Sequence, residues 1–240
     1  MDEALEAHLL HQADGATQFF WHRLRWKLVR DHLPTTPATL LDVGAGIGAI
    51  GELLATERPD ITYTFDEPID SLAAHLAARF GAERDLRGRT SCPDVDIVTL
   101  LDVIEHIDDD EAFLSELVAR LSPGTTIVIT VPGSMRLWSQ WDVSLGHRRR
   151  YEKPELEALV GRVPVQVLEL GRLFPEMVPA ALWRARRQPP TGAPAAPDQA
   201  EFPDLPRFVD EALYQLGRPG VRWRRHAPIG TSLYAALRVR

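Results

Sequence analysis

The sequence predicts an α/β protein built around a mostly parallel sheet, and three observations carry that expectation. Strand-like and helix-like segments alternate along most of the 240 residues. The run Asp96–Leu101 is apolar along its length, as a strand covered on both faces must be. The stretch Thr39–Leu54, TLLDVGAGIGAIGELL, reads as an apolar strand, a glycine loop and an apolar helix. Such a junction brings bare backbone up to a ligand and aims a helix N-terminus at it.

In chain order, residues 2–11 and 16–33 read as helices ahead of the sheet. The first strand falls at 39–43, and its helix at 47–57. The second strand, Ile61–Phe65, runs into Asp66-Glu67-Pro68, and a helix follows over Ser71–Phe80. A third strand is placed around Gly81–Leu86, the least strand-like of the set. Asp96–Leu101 is the fourth. Asp108-x-x-Glu111 reads as a capping box for a helix ending near Leu121. Ser122-Pro123-Gly124 turns the chain into a fifth strand, Thr125–Val131. Residues 133–150 have no clear period. A helix begins near Pro154, where proline suits the first turn. Val163–Leu170 is the sixth strand. The proline-rich stretch 186–206 reads as a linker or loop. A helix over Pro206–Leu216 then leads to the last strand, Ser232–Arg240. The expected division is an N-terminal helical extension or lid over 1–34 and one α/β domain over 35–240.

Composition narrows the function classes. Apolar residues make up 45% and charged residues 25%, ordinary values for a globular chain. A net charge of −7 argues against nucleic acid as a partner, despite arginine clusters at 184–187 and 222–225. A lone cysteine, Cys92, rules out an internal disulfide framework and a cysteine-based zinc site. No apolar run nears the ~18 residues of a membrane span, and the acidic N-terminus lacks the pattern of a secretory signal. The expectation is a cytoplasmic protein, monomer or homodimer, with a small-molecule substrate and no membrane partner.

The glycines admit two cofactors. Gly44-x-Gly46-x-Gly48 resembles the S-adenosylmethionine loop of class I methyltransferases. Gly46-x-Gly48-x-x-Gly51 resembles the dinucleotide fingerprint. The frame favours the first, because Gly44 directly follows the strand. So does Asp42, which would repel a pyrophosphate and attract an ammonium or sulfonium group. At the second strand's end an acid can accept both ribose hydroxyls. Glu67 is the first choice and Asp66 the second. Asp85 and Leu86 lie where a chain would cover an adenine, with Glu83 and Asp94 as competitors.

The chain as a whole, from about residue 39 to 240, resembles class I S-adenosylmethionine-dependent methyltransferases. DIVTLLDVIEHIDDDEAFLSELVARLSPGTTIVITVP looks like that family's fourth strand, helix and fifth strand, and PIGTSLYAALRVR like its closing antiparallel strand. LWSQWDVSLGHRRRY resembles a bacterial small-molecule subgroup, as does the leading helix FFWHRLRWKLV. Ala45 stands where cysteine is common. The resemblance implies a Rossmann-like, seven-stranded sheet with an antiparallel last strand. It implies S-adenosylmethionine as cofactor, held by Asp42, Gly44, Ala45, Gly46, Gly48, Asp66 or Glu67, Asp85, Leu86, Leu101 and Asp102.

Asp102, Glu105 and His106 follow the fourth strand at i, i+3 and i+4, so a helix there would put all three on one face. They are similar to the Glu-x-x-Glu-His run of small-RNA 2′-O-methyltransferases and ubiquinone-pathway O-methyltransferases. That likeness implies a divalent metal such as magnesium, with His147 completing the shell. Two other readings stand beside it. Glu105 and His106 can brace the chain end, or His106 or His147 can serve as a metal-free general base. In the 133–151 loop, Trp138 and Trp141 can stack on a substrate ring, and Arg148 can bind an anionic group; a purely structural loop is the alternative. The aromatic residues Phe19, Phe20, Trp21 and Trp26 suit either core packing or a lid.

The expected reaction is methyl transfer from S-adenosylmethionine, most simply to an oxygen of a small hydroxylated metabolite of sugar-like or natural-product type. Nitrogen or carbon acceptors are the alternative. A nicotinamide-dependent oxidoreductase and an inactive cofactor-binding partner subunit are the readings from other classes.

Overall fold

The computed structural model describes residues 19–188, 190 and 205–240. The expected helix at 2–11, and most of the proline-rich stretch, lie outside the described residues. Helix α1 (Phe20–Arg30) leads into β1 (Ala38–Val43), α2 (Ala49–Glu57), β2 (Ile61–Asp66) and α3 (Asp70–Phe80). Then come β3 (Ile97–Leu101), α4 (Asp110–Ala119) and β4 (Thr126–Pro132). A short α5 (Gln140–Ser144), α6 (Lys153–Gly161), β5 (Val165–Leu173), α7 (Val178–Arg187), α8 (Arg207–Arg222) and β6 (Ser232–Val239) complete the chain. Among the described residues no helix is long and apolar enough to cross a membrane.

The sheet has six strands in the order β2-β1-β3-β4-β6-β5. The β1, β2, β3 and β4 pairings are parallel, and β6 runs antiparallel to both neighbours. The expected third strand does not form. Residues Ala82–Arg84 make a 3₁₀ turn instead, and only a single parallel bridge joins Asp85 to Phe65. The cause is local: Glu83, Arg84 and Asp85 offer no apolar face to bury, and the Asp85 carboxylate turns to the Arg87 backbone N–H and Nε.

Period-two alternation divides the sheet's side chains between two cores. On one face Leu41, Val43, Val98, Leu100, Ile127 and Ile129 pack with Leu114 and Leu117 of α4 and Leu156 and Val160 of α6. On the other, Leu40, Tyr63, Phe65 and Ile97 meet Leu24 and Leu28 of α1 and Ile50 and Leu54 of α2. The leading helix is therefore part of the sheet's own core. It is also tied to α8, where the Phe20 N–H donates to Asp210 Oδ1 at 2.8 Å.

Two boundaries differ from expectation for identifiable reasons. Asp109, not Asp108, caps α4, accepting from the Ala112 N–H at 2.9 Å. Helix α8 runs on through Pro219 to Arg222, past the expected end near Leu216. Its packing face continues there, with Gly217 and Val221 both buried against the body of the protein. Helix α6 opens where Pro154 implied, with Glu152 and Glu155 forming a reciprocal capping box.

Gly51 on α2 permits the closest helix–sheet approach. A β-carbon there would stand 2.7 Å from the Tyr63 ring and 2.8 Å from the Phe80 ring. Gly51→Ala should therefore destabilise the fold by about 1–3 kcal/mol through overpacking. That is a fall in Tm of roughly 2–4 °C per kcal/mol, measured by calorimetry, and an unchanged Tm would contradict the packing described.

Candidate active site

The glycine loop joins β1 to α2 at the C-terminal edge of the sheet, where open α/β sheets bind ligands. Gly44, Gly46 and Gly48 all have positive φ. At Gly48, which precedes α2, a β-carbon would also meet Leu76 at 2.6 Å, so glycine is required twice over. The Gly46 N–H donates to Glu67 Oε2 at 2.7 Å and the Ile69 N–H to Glu67 Oε1 at 3.0 Å. Burial pushes the Glu67 carboxyl up, and the two backbone donors partly offset it. Asp66 lies one residue earlier and so points to the other face, where both terminal nitrogens of Arg120 reach it at 3.2 Å. Of the two acids, Glu67 is the one at the loop. Ala45 sits within the loop's turn, its carbonyl accepting from the Gly48 N–H at 3.0 Å.

Asp42 is not presented to a ligand. It is paired across the sheet with Phe65 and Thr99, and buried. The Thr99 hydroxyl donates to Oδ1 at 2.6 Å and the Tyr63 hydroxyl to Oδ2 at 3.1 Å. Burial pushes its carboxyl up to about 6 against the pull of these two hydroxyls. Asp42 thus lies buried beneath the loop with one hydroxyl on each oxygen. Leu86 is buried and its N–H donates to the Phe65 carbonyl at 2.8 Å, which puts Asp85 and Leu86 beside the end of β2.

At the end of β3, Leu101 is partly buried against the α1 side of the core. The next residues do not form the helix that would align Asp102, Glu105 and His106. Asp102 has φ 60, and a single 3₁₀ turn covers Ile104–His106. The left-handed kink sends the Asp102 carboxylate away from the other two. It pairs with the Arg25 guanidinium of α1 and accepts from the Thr130 hydroxyl at 2.9 Å. Arg25 is a site residue that the sequence reading missed. Burial lowers its pKa to about 10, while the Glu105 and Asp42 charges act to keep it protonated.

Glu105, His106 and His147 do come together, with ligand atoms within 4.8 Å of one another. Glu105 is fully buried, and neither carboxylate oxygen has a hydrogen-bond partner. Burial pushes its carboxyl up to about 8, against the Arg25 and Arg150 charges. Burial, with the neighbouring His147, pushes the His106 imidazole down to about 4, leaving it neutral near pH 7. The two imidazole rings meet edge to face at 5.0 Å. His147 Nδ1 lies 2.9 Å from Asp142 Oδ1, and its Nε2 lies 3.9 Å from Glu105 Oε1.

The 133–151 loop is clamped to this cluster by its own arginines. Arg148 Nε donates to the His106 carbonyl at 2.8 Å, and its Nη1 reaches Asp108 at 2.7 Å, so it is engaged with the protein rather than held open for an anion. Arg149 pairs with Asp110, and the Tyr151 hydroxyl donates to the same carboxylate at 2.6 Å. Arg150 Nε donates to Asp142 at 2.7 Å. Trp141 carries the Arg184 guanidinium over its ring, 4.6 Å from the centroid, and Trp138 is half-buried after the turn Met135–Leu137. Asp142 is the second residue missed. Its signal was its spacing of five from His147, which placed no requirement on either residue until the loop's path was known.

A family model described as a methyltransferase domain matches residues 17–170. The chain belongs to this family. It is 32% identical over 102 residues to the ubiquinone biosynthesis O-methyltransferase of Methylobacterium nodulans, a match covering 40% of this chain and 41% of that relative. The chain thus spans less than half of that relative's length. Among solved structures, it resembles the protein bound to the Haloferax volcanii Trm112 methyltransferase activator. The TM-score is 0.64 at 17% identity, over 100% of this chain and 98% of that one. It also resembles a Haemonchus contortus phosphoethanolamine N-methyltransferase solved with S-adenosylhomocysteine. There the TM-score is 0.55 at 19% identity, over 91% of this chain and 52% of that one. At these identities the structures share the fold, and the family assignment rests on the domain match.

The burial of Asp42 in this methyltransferase domain has a measurable consequence. Its folded pKa of about 6 exceeds the ordinary carboxylate value of 3.8, so the folded state binds the proton more tightly. Its contribution is least unfavourable below the unfolded pKa and becomes fully unfavourable above the folded one. Asp42→Asn should therefore gain stability relative to the parent as pH rises from 4 to 7, by up to roughly 3 kcal/mol. Urea titrations across that range check it; a difference independent of pH would contradict the assignment.

Proposed function

We propose that this protein is an S-adenosylmethionine-dependent methyltransferase acting on an oxygen of a small hydroxylated acceptor. The observation that carries the reading is that a glycine cradle and a cluster of two histidines and a carboxyl group share the same strand ends. Gly44–Gly48 with Glu67 form the cradle. Glu105, His106 and His147 form the cluster. The name of the Methylobacterium nodulans relative, an O-methyltransferase, adds support for oxygen.

The donor set fits the cofactor chemically. Glu67 offers a carboxylate for a vicinal diol beside the partly exposed loop backbone of Gly44–Gly46. Asp85 and Leu86 stand at the end of β2 for the adenine. Arg25 and Asp102, paired side by side, offer one cation and one anion, the complement of a zwitterionic aminoacyl group. When bound, the cofactor supplies a methyl group already activated on a sulfonium. What remains for the protein is to align the acceptor, exclude water and take the acceptor's proton. His106 and His147 are the groups for that proton, and a neutral His106 is in the accepting form. Trp138 and Trp141 are the candidates for the acceptor's wall.

A second reading of the cluster is favoured by one observation, the two buried Glu105 oxygens without donors. A divalent ion held by Glu105, His106 and His147 would satisfy them and would polarise the acceptor hydroxyl as a Lewis acid. Two imidazoles and one carboxylate suit zinc, manganese or iron better than the magnesium first expected, which prefers an all-oxygen shell. Asp102 is outside this set, because Arg25 and Thr130 hold its carboxylate.

Two measurements test these readings. S-adenosylhomocysteine should raise Tm and bind by calorimetry. Arg25→Ala should weaken that binding by roughly tenfold or more, about 1.4 kcal/mol. Unchanged affinity would remove Arg25 from the cofactor site, and a Tm shift from a nicotinamide dinucleotide instead would overturn the reading. In a screen of catechol, sugar, amine and carbon-nucleophile acceptors, hydroxyls should be methylated. Turnover that survives exhaustive chelation eliminates the metal; loss restored by manganese or zinc establishes it. Cofactor binding with no turnover on any acceptor would favour an inactive partner subunit.

A further inference from the structure

Asp142 receives more donors than any other acid near the cluster. It is fully buried at the N-terminal turn of α5. Oδ2 accepts from the Ser139 N–H at 2.9 Å and from the Ser139 hydroxyl at 3.4 Å. Oδ1 faces Arg150 Nε at 2.7 Å and His147 Nδ1 at 2.9 Å. The Asp142 backbone carbonyl also accepts from the His147 N–H at 2.9 Å, closing a five-residue ring around the side-chain contact. With the Ser139 N–H on Oδ2 and the Arg150 guanidinium on Oδ1, both Asp142 oxygens are held as acceptors, so the proton in the 2.9 Å contact belongs to His147 Nδ1. His147 Nε2 is then the nitrogen with the lone pair. It is 3.9 Å from Glu105 Oε1, beyond hydrogen-bond reach, and the ring itself lies 5.0 Å from that of His106.

We propose that Asp142 is the positioning residue of this site: it takes up the Nδ1–H of His147 and so leaves the Nε2 lone pair facing the Glu105–His106 gap, where an acceptor hydroxyl is to lose its proton. Arg150 Nε holds Oδ1 and the backbone N–H of residue 139 holds Oδ2, while the Ser139 hydroxyl, at 3.4 Å, adds little. The same arrangement would set the ligating nitrogen if an ion occupied the gap. The consequence for turnover rests on the methyltransferase reading; the tautomer does not.

Asp142→Asn separates the two. The amide oxygen can still accept from the Ser139 N–H, but its NH2 faces His147 Nδ1 as a donor. The imidazole proton must then move to Nε2. Ser139→Ala is the control, loosening the α5 cap without touching Oδ1. Long-range 1H–15N correlation of the histidine rings, on full-length chelator-treated protein with S-adenosylhomocysteine, reads the tautomer directly. The parent and Ser139→Ala should show a protonated Nδ1 and a bare Nε2 at His147, and Asp142→Asn the reverse. With the acceptor that turns over in the screen above, Asp142→Asn should lower kcat by roughly 10- to 100-fold. Its affinity for S-adenosylhomocysteine should be unchanged, and Ser139→Ala should keep its kcat. A protonated Nε2 in the parent, an unchanged tautomer in Asp142→Asn, or an inverted tautomer with full kcat overturns the proposal. If the tautomers behave as stated but no acceptor turns over, the methyl-transfer reading fails and the positioning of His147 stands.

Discussion

The Arg25 guanidinium on the Asp102 carboxylate is the contact on which the rest of the site depends. It joins the leading helix to the end of β3, two segments far apart in the chain. Asp42, Asp102 and Glu105 all lie at or below the same strand ends, the first and last of them buried. Arg25 is the cation common to them, and it raises the tolerance of the interior for each. Removing Asp102, itself partly exposed, would leave the buried Arg25 guanidinium short of a partner. The aromatic residues around it serve the same end. Trp21 lies 5.1 Å from the guanidinium and 4.2 Å from the Phe174 ring, so α1 is seated by aromatic packing as well as by the Arg25 ion pair.

The second constraint is the clasp made by Arg148, Arg149, Arg150 and Tyr151. Successive residues of an extended chain point to opposite sides, so three adjacent arginines find three different partners. Arg148 is half exposed, with 52% of its side chain accessible, and its pair with Asp108 contributes little to stability. Arg150 is buried against Asp142, and there the charge is needed. What looks in sequence like a patch for an external anion is therefore mostly internal neutralisation. The clasp fixes both ends of the loop, at Gly133 through the Tyr151 bridge and at His106 through Arg148, and leaves Trp138 and Trp141 between them.

The legible parts of the fold were those governed by local pattern. The glycine loop announces itself because positive φ and close approach require glycine. β3, β4 and β6 announce themselves because strands covered on both faces must be apolar. The third strand misled because the position a strand ought to occupy is a family expectation, while the charges of Glu83, Arg84 and Asp85 are a local fact. The partners of Asp42, Tyr63 and Thr99, were not legible because they are set by strand register, which no single segment contains. The alignment of Asp102 with Glu105 and His106 assumed a helix; a left-handed residue at 102 broke it, a conformation an aspartate adopts only rarely. The coming together of Glu105, His106 and His147 followed from their placement at adjacent strand ends. Arg25 and Asp142 act through contacts that only the folded path of the chain creates.

The collapse of the third strand also changes how the ligand-side wall is hung. The segment from Asp85 to Cys92 is tied to the sheet side by two isolated bridges, Asp85 to Phe65 and Cys92 to Leu121, instead of a continuous ladder. Arg87, clasping Asp85 and Asp70, and Arg120, reaching Asp66, are its side-chain stays. Leu86 and Cys92 are buried in the core at those two rungs, so the segment is pinned at its ends and its course between them is set by side chains instead of a strand ladder.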